Sequence, residues 1–494
     1  MSAPPLSLRD YQVAHLAHFM STPVWADFSD PGVGKTPPVC VYLGYAWQEQ
    51  KWRSIWTMPK SLLKKNREEL LRWSGLKEED VIIVDGTPKQ RAAQMRSDAK
   101  VFLMGFQCFA SNWPELCEIH PDIAMMVGDE WHLGFKGPNS GRTRSMYEFW
   151  DRPETKSIGA MSGTIVDGRL DSAYSLIHVA DPGAYIGGYD GFMMAHAMVD
   201  DFGKVVAWVN LGRVREMFSK IAIRRAFEEA YGKEAKIMLR EPVEMTELQR
   251  KYYLELEETA VVELEESWLD GSLPGVALAR ARQLMECPQI FGPPLDKIGK
   301  TGKEEALDVH LEHHKATGKP LVIFAAVTES IERIVRQCEA HGLRVGKIHG
   351  GVPAKRRFQI DTDFQEGKLD VVVASAATAG VGFNWPHVDH IIFMSMDFMD
   401  SNFVQAYRRA IRGTRTTPVL IRVMEYTNSL DQMIFAIVER KSKLAADVDP
   451  TKEALKIRTT AGAQKAAAPE KTPEAPKPLK GKPSMASLIK KPPT

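Results

Sequence analysis

The sequence is poor in cysteine and contains no long apolar run. Its 494 residues include five cysteines, and no two of them are spaced as a CxxC pair. These absences exclude a disulfide framework and a thiolate zinc cluster. No apolar stretch approaches the roughly 18 residues that a membrane-spanning helix needs, and the first residues contain no apolar signal core. We therefore expect a protein without a membrane segment that works in the reducing cytoplasm.

A strong net charge is also lacking, because 64 Lys and Arg residues are balanced by 63 Asp and Glu residues. The balance conceals a basic end: residues 451–494 carry 10 Lys and Arg against 3 Asp and Glu, with seven prolines and no aromatic residue. This composition predicts a disordered tail over residues 447–494. Two interpretations of the tail stay open, a solvated segment or a tether for DNA or a protein partner. The remaining body is slightly acidic, so nucleic acid would have to bind local basic patches.

Short apolar runs rich in β-branched residues recur in two series and predict two sheets. The runs of the first series are Ser54–Met58, Val81–Asp85, Val101–Phe106, Ala124–Glu130 and Ser157–Thr164. The runs of the second series are Pro320–Ala326, Arg344–Gly350, Asp370–Ser375, His390–Met396 and Pro418–Glu425. Because these runs do not alternate strictly and helical stretches separate them, we expect parallel strands buried on both faces and wrapped by helices.

The two series divide the chain into two α/β lobes. We place the first lobe at residues 1–225 and the second at residues 301–446. Residues 226–300 between them predict a short helical connector, because Thr246 and Gln249 form a capping-box signature before a helical run of apolar residues. The opposite face of that run is rich in glutamate, which would repel phosphate. We therefore interpret the connector as a packing element and not as a nucleic-acid surface.

The strongest chemical signal is the segment DPGVGKT at residues 30–36. A loop that offers backbone N–H groups to phosphate needs glycine where a side chain would block the approach, and two glycines meet that need. Lys35 can reach the terminal phosphates of a nucleotide, and Thr36 offers a hydroxyl to Mg²⁺. The full pattern has glycine at the position of Ser29, so the match is close but incomplete. The predicted nucleotide-binding residues of this loop are Gly32, Val33, Gly34, Lys35 and Thr36.

A second signal is GDEWH at residues 128–132, which ends an apolar run predicted to be a strand. Two adjacent carboxylates at a strand end can serve different chemical roles. Asp129 can hold Mg²⁺, directly or through water, while Glu130 stands one residue further on to deprotonate an attacking water. In the same lobe as the phosphate loop, this pair predicts nucleotide hydrolysis.

A third signal lies in the second lobe, where Gln405, Arg409 and Arg412 are spaced to share one face of a helix. Taken alone, such a face would be interpreted as a solvated basic stripe. With phosphate chemistry predicted in the other lobe, arginines delivered across a cleft become the better interpretation. They would stabilise transition-state charge only when the lobes close.

These segments resemble the motifs of superfamily 2 helicases in their DExH form, and most closely those of the Swi/Snf-type DNA translocases. The resemblance extends from about Leu8 to Lys443. Besides the three signals above, the similar segments are LRDYQ (Leu8–Gln12), the run Met58–Trp73, MSGT (Met161–Thr164), VIFAAVTES (Val322–Ser330) and ASAATAGVGFN (Ala374–Asn384). The fold that the resemblance implies is α/β, with two tandem RecA-like parallel-sheet lobes, a short helical connector and a disordered C-terminal tail.

The resemblance also implies roles for individual residues. Gln12 stands at the adenine-recognising position and Gly382 at a nucleotide-site position of the second lobe. Lys60, Ser61 and Asn384 stand where the family contacts nucleic acid. The residues with implied catalytic roles are Lys35, Glu130, Gln405, Arg409 and Arg412.

The implied activity is an ATP- and Mg²⁺-dependent DNA translocase or helicase that moves on DNA without reading its base sequence. Strand separation, annealing and fork remodelling all stay open. The chain lacks accessory chromatin-reading modules, which favours a compact prokaryotic or phage-type member that acts at the nucleoid, and we expect a monomer although the sequence does not define the oligomeric state. The alternatives are an RNA helicase, the motor subunit of a restriction or recombination assembly and, least favoured, a non-enzymatic scaffold.

Overall fold

A computed structural model shows how the predicted lobes fold. It describes residues 7–163, 170–199, 205–232, 234–257, 276–379, 383–396, 400–411, 415–448 and 458–459. Within these ranges, no helix combines the length and the apolar character that crossing a membrane would require. Apart from its first two residues and the pair Arg458–Thr459, the predicted tail lies outside them.

The first lobe is built on a seven-stranded sheet in which each recorded pairing is parallel. Its strands are β1 Val24–Asp27, β2 Arg53–Met58, β3 Val81–Val84, β4 Val101–Gly105, β5 Ile123–Asp129, β6 Ser157–Met161 and β9 Ala222–Ile223, and β7 Ala197–Val199 and β8 Val205–Trp208 form a separate hairpin. The sheet order is β3-β4-β2-β5-β6-β1-β9. The helices are α1 Asp10–Ser21, α2 Thr36–Gln48, α3 Leu63–Trp73, α4 Pro88–Met95, α5 Phe106–Ile119, α6 Trp131–Gly134, α7 Gly141–Trp150, α8 Asp171–Ala180, α9 Gly188–His196, α10 Leu211–Ile221 and α11 Phe227–Tyr231.

The second lobe repeats this plan. Its strands are β10 Lys236–Val243, β11 Leu321–Phe324, β12 Val345–Ile348, β13 Val371–Ala374, β14 His390–Phe393, β15 Val419–Tyr426 and β16 Arg458–Thr459, in the sheet order β12-β13-β11-β14-β15-β10-β16. The helices are α12 at residues 247–257, α13 Val276–Glu286, α14 Gly302–Thr317, α15 Thr328–Ala340, α16 Ala354–Gln365, α17 Ala376–Ala379, α18 Asp400–Tyr407 and α19 Leu430–Val448. Again the recorded pairings are all parallel.

Both faces of the first sheet are buried, as the sequence predicted. Along β2, Ile55 packs into one apolar cluster and its neighbour Trp56 into the cluster on the opposite face. In the adjacent strand β4, Phe102 and Leu103 divide in the same way. Because helices cover both faces, most side chains on either face are apolar, and this explains why the strands appear in the sequence as largely apolar runs.

The predicted apolar runs all contain strands, but the connector differs from its prediction. β10 lies within residues 226–300, and it pairs with β15 from Lys236 to Val243. Its charged residues form ion pairs along the sheet, such as Arg240 with Glu425, so no apolar run marks the strand in the sequence. The second sheet therefore begins well before residue 301.

The remainder of the connector is helical. Gln249 N donates to Thr246 Oγ1 at 3.4 Å, which is half of the predicted capping box. The Gln249 side chain does not complete the box, because its amide donates to the carbonyl oxygens of Leu284 and Met285 and so ties α12 to α13. Arg458–Thr459 of the predicted tail pairs with β10, so these two residues extend the sheet.

The packing between β6 and its neighbour β1 leaves no room for a side chain at Gly159, because an added Cβ would collide with the indole of Trp25. We expect Gly159→Ala to destabilise the protein by about 1–3 kcal/mol through overpacking. The control is Gly141→Ala at the start of α7, where an added Cβ meets no atom within 4 Å. It should be neutral or slightly stabilising. Urea denaturation of both variants measures the difference, and equal stabilities would contradict the packing argument.

Candidate active site

The site is assembled where three neighbouring strands end. β6 lies between β1 and β5, and Met161 of β6 pairs in register with Asp27 on one side and Asp129 on the other. Because all three strands are parallel, their carboxyl ends meet at one edge of the sheet. The phosphate loop follows β1, GDEWH begins at the end of β5, and MSGT, of which Met161–Gly163 are described, begins at the end of β6. The topology thus brings the predicted motifs of the first lobe together.

The phosphate loop has the backbone conformation that its glycines predict. Gly32 and Gly34 adopt φ angles of 92° and 88°, a left-handed region that residues with a side chain rarely enter. A Cβ at Gly34 would also lie 2.9 Å from the amide nitrogen of Gln12. Lys35 Nζ donates to the carbonyl oxygen of Ser29 at 2.6 Å, so the ammonium is held over the loop.

Gln12 ties α1 to this loop. Its Nε2 donates to the carbonyl oxygen of Gly34 at 2.9 Å, and its Oε1 accepts from the backbone N–H of Arg9 at 2.9 Å. Beside it, the hydroxyl of Tyr11 donates to the carbonyl oxygen of Val33 at 2.5 Å. Gln12 thus lies at the predicted nucleotide site, and both ends of its amide contact backbone atoms.

The pKa values of two buried carboxyls at this sheet edge are shifted in opposite directions. Burial alone would raise the pKa of Asp27, but its hydrogen bond to His15, at 2.9 Å, and the nearby positive charges lower it overall. For Asp129, burial and then the charge of Glu130 raise the pKa to about 6. Asn66 Nδ2 donates to Asp129 Oδ2 at 3.0 Å and orients this carboxyl.

Glu130 is one point at which the second lobe reaches the first. Its backbone is left-handed, with φ of 52°, which is unusual for a residue with a side chain and is found at functional sites. Gln405 Nε2 donates to Glu130 Oε1 at 3.4 Å. Burial raises the pKa of Glu130, while the charges of Lys35 and Arg409 act in the opposite direction. The site therefore places one carboxylate among groups from both lobes.

His132 connects two of the predicted motifs. Its Nδ1 lies 2.8 Å from the hydroxyl of Ser162, the second residue of the MSGT segment. The same nitrogen lies 3.7 Å from Glu130 Oε2. The histidine of GDEWH is thus placed between the carboxylate and the segment that follows β6.

The segment that carries Gln405 and Arg409 is not the single helix that the sequence predicts. α18 ends at Tyr407, so Arg409 lies in the turn that follows and does not share a helix face with Gln405. Arg409 Nη1 donates to the carbonyl oxygen of Phe383 at 3.1 Å, and its charge acts on Glu130. Gln405 is buried, so it is not part of a solvent-exposed polar stripe. Arg412 lies outside the described residues, as does Gly382.

The predicted nucleic-acid residues are exposed. Lys60 and Ser61 follow β2, and Lys60 Nζ donates to Asp85 Oδ1 at 2.6 Å. Asn384 is exposed between two buried aromatic residues, Phe383 and Trp385. All three side chains are thus accessible to a polymer, although Lys60 already has an acidic partner.

Sequence reasoning missed two contributors to this region. Asn66 orients Asp129; it lies in the run Met58–Trp73, where the resemblance gave roles to Lys60 and Ser61 alone. Arg408 pairs with Asp30 of the phosphate loop. Its position beside Arg409 was the only signal for it, since no local pattern reveals a partner 378 residues away.

The chain is similar to helicases over both lobes. The family model described as the helicase conserved C-terminal domain matches residues 302–414. Chromodomain-helicase-DNA-binding protein 1-like of Danio rerio is 23% identical over 447 residues, which covers 84% of this chain and 41% of the relative. SWI/SNF-related matrix-associated actin-dependent regulator of chromatin subfamily A member 1 of Mus musculus is 24% identical over 470 residues, covering 88% of this chain and 43% of that protein. The chain is therefore similar to Snf2-like superfamily 2 helicases.

The solved structures agree with this fold. The crystal structure of the Pyrococcus furiosus Hef helicase domain is similar with a TM-score of 0.52 at 14% identity, and the match covers 87% of this chain and 97% of that one. The chain therefore shares the fold of that domain, with two tandem parallel-sheet lobes. It spans less than half the length of the two curated relatives.

The residues at the three strand ends fit a Mg²⁺–nucleotide pair. Asp129 and Thr36 provide the oxygen ligands that Mg²⁺ prefers. Among the described residues, Glu130 Oε2 is a buried oxygen without a hydrogen-bond partner. The donor set thus matches the chemistry of that pair.

The pKa values of Asp27 and Asp129 are shifted in opposite directions, so the stability of the protein should depend on pH in opposite ways at the two residues. This prediction applies in the absence of divalent cations. Because the folded-state pKa of Asp129 is raised to about 6, the folded protein loses stability as pH rises from about 4 to 6. Asp129→Asn should therefore stabilise the protein by about 1–3 kcal/mol near pH 7.5, and the gain should vanish near pH 4.

Asp27→Asn is the matched control, because the pKa of Asp27 is lowered and its charge stabilises the fold above the unfolded-state pKa. This variant should be less stable than the parent near neutral pH, with the deficit shrinking as pH falls. Thermal melts across the pH range measure both effects. Shifts of the same sign in the two variants would contradict the electrostatic assignment.

Proposed function

We propose that this chain is an ATP- and Mg²⁺-dependent DNA translocase. One observation carries the proposal: Gln405 of the second lobe contacts Glu130 of the first, and Arg409 acts on the same carboxylate. A site made from both lobes changes when the lobes move, so hydrolysis and movement can be linked. Similarity to a chromodomain-helicase-DNA-binding protein supports DNA as the polymer.

The first lobe would bind the nucleotide. The backbone N–H groups of the phosphate loop and the ammonium of Lys35 would hold the β- and γ-phosphates. Thr36 and Asp129 would hold Mg²⁺, which when bound neutralises charge on the phosphates. Gln12 holds the loop against α1 and lies where the adenine is expected.

Glu130 is suited to deprotonate the attacking water. Burial raises its pKa toward the range in which a carboxylate accepts a proton efficiently. The amide of Gln405 holds one of its oxygens, and the other oxygen is buried and accepts no hydrogen bond from the described residues. Arg409 would stabilise charge that develops on the transferring phosphate, together with Arg412, whose role rests on the sequence.

The second lobe offers a direct route from this site to the polymer. Trp385 N donates to the carbonyl oxygen of Arg409 at 2.8 Å, and Arg409 Nη1 donates to the carbonyl oxygen of Phe383. Asn384 lies between these two residues and is exposed. Trp385 is in turn held by a 2.7 Å hydrogen bond from its indole to Asp361. A change at Arg409 is therefore transmitted over one residue to a candidate DNA contact.

ATPase turnover measured in parallel with duplex DNA, single-stranded DNA and RNA tests the proposed function. We expect stimulation by DNA, since the motor would follow the sugar–phosphate backbone. Stimulation by RNA alone would identify the RNA-helicase alternative, and no turnover with any polymer would favour the scaffold. Strand-displacement, annealing and fork substrates then separate the finer activities.

Two substitutions should separate nucleotide binding from hydrolysis. Lys35→Ala removes a cation that attracts the phosphates, so both ATP affinity and turnover should fall. Glu130→Gln removes only the base, so turnover should fall by about 10²–10⁴-fold while ATP still binds. Equilibrium binding of a fluorescent ATP analogue and steady-state turnover measure the two quantities. An equal loss of nucleotide binding in both variants would contradict the assigned roles.

Asn384→Ala should reduce stimulation by DNA while leaving the DNA-free turnover within about twofold, because the side chain is exposed and only its neighbours contact Arg409. His313→Ala, at an exposed position on α14 of the same lobe, serves as the control. Turnover is measured against DNA concentration for both variants. Unchanged stimulation in Asn384→Ala would remove this residue from the DNA contact.

A further inference from the structure

An ion pair crosses the boundary between the lobes directly at the phosphate loop. Asp30 Oδ2 lies 3.1 Å from Arg408 Nη2 of the second lobe, and the two side chains are only 14% and 11% exposed. The other carboxylate oxygen of Asp30 receives Arg224 Nη2 at 2.6 Å, and the N–H of Phe227 donates to Oδ2 at 3.2 Å. One carboxylate thus joins the first lobe, the start of the connector and the second lobe.

Arg408 is held firmly on its own side. Its Nε donates to Glu234 Oε1 at 2.6 Å, and Glu234 is also paired with Lys236 at the start of β10. The guanidinium lies over the ring of Phe227, 5.5 Å from its centroid. The surrounding charges lower the pKa of Asp30 and raise that of Arg408, so both groups stay ionised. The pair is therefore a fixed, buried contact and not a mobile surface bridge.

Asp30 is also connected to the residue that would bind phosphate. Its carbonyl oxygen accepts from Lys35 Nζ at 3.3 Å, next to the stronger bond from Lys35 to Ser29. A phosphate competes with these carbonyls for the ammonium. Val33 of the same loop is buried in the apolar cluster that includes Phe227 and the core of the second lobe. A change in the loop on nucleotide binding thus acts on groups that the second lobe contacts.

We infer that Arg408 is a positioning residue that couples the state of the phosphate loop to the placement of Arg409 and Gln405. It is adjacent in sequence to Arg409, so its bond to Asp30 holds the turn that carries the catalytic arginine. The expected effect on turnover rests on the proposed ATPase function, whereas the contact between Arg408 and Asp30 does not. Arg408 does not touch the reacting atoms; it acts through the loop and the turn.

The alternative is that the pair only stabilises the fold. Removing one partner of a buried ion pair is strongly destabilising in any location, so a loss of stability would not distinguish the two roles. The chain offers a matched comparison, because Asp30 has a second arginine partner. Arg408→Gln breaks the bridge between the lobes, whereas Arg224→Gln removes a cation from the same carboxylate within the first lobe.

The test measures the distance between the lobes and the turnover in the full-length protein. All five cysteines are buried, so dyes can be attached at Lys89→Cys on α4 and Glu312→Cys on α14, which are exposed positions. ATP should change the energy transfer between the dyes in the parent and in Arg224→Gln. In Arg408→Gln this change should be lost, and kcat should fall about 10-fold while the ATP dissociation constant moves less than about threefold.

Arg408→Lys keeps the charge and should restore part of the response if the glutamine variant folds poorly, which melting curves reveal. Equal responses in Arg408→Gln and Arg224→Gln, or a normal ATP-dependent change in a folded Arg408→Gln protein, would overturn the inference. If the parent binds ATP and moves but does not hydrolyse it, the proposed function fails while the coupling still stands. If the parent hydrolyses ATP without any coupling through Arg408, only the inference fails.

Discussion

Burying a carboxylate is unfavourable unless cations or hydrogen bonds compensate its charge, and three carboxylates near one sheet edge are compensated to different extents. Asp27 is compensated within the first lobe by His15. Asp30 takes arginines from both lobes, so its compensation depends on the lobes meeting. Asp129 receives hydrogen bonds from an amide and a backbone N–H, but burial and the charge of Glu130 keep its pKa raised. The least compensated carboxyl is the one suited to a metal ion, and the carboxyl shared between lobes is the one suited to transmit movement.

The parallel topology is what turns these side chains into one site. With β6 between β1 and β5, the phosphate loop, Asp129 and Ser162 leave the sheet side by side, and His132 links the last two segments. The second lobe supplies Gln405 from α18 and Arg409 from the turn that follows, and Arg409 forms hydrogen bonds with Phe383 and Trp385 on either side of the exposed Asn384. The candidate nucleotide site and the candidate polymer contact are consequently linked in the second lobe by two hydrogen bonds.

The sequence predicted the apolar strands of both sheets because they are buried on two faces and therefore appear as runs. It did not predict β10, whose charged residues form ion pairs with neighbours such as Glu425. It also did not predict that Arg458–Thr459 pairs with that strand. The prediction that Gln405 and Arg409 share one helix face was also wrong, because α18 ends between the two residues. Both residues nevertheless act on Glu130, since the turn brings Arg409 round to the same side.

Local chemistry was determined by the sequence alone. The glycines of the phosphate loop, the lysine that follows them and the adjacent carboxylates of GDEWH lie at fixed short spacings, so their chemistry can be predicted from order and residue type. The tertiary structure decided which distant groups meet them. Asn66 orients Asp129 and Arg408 holds Asp30 because sheet order and lobe contact bring them there, across separations of 63 and 378 residues. No periodicity encodes such a contact, since it depends on how whole elements pack.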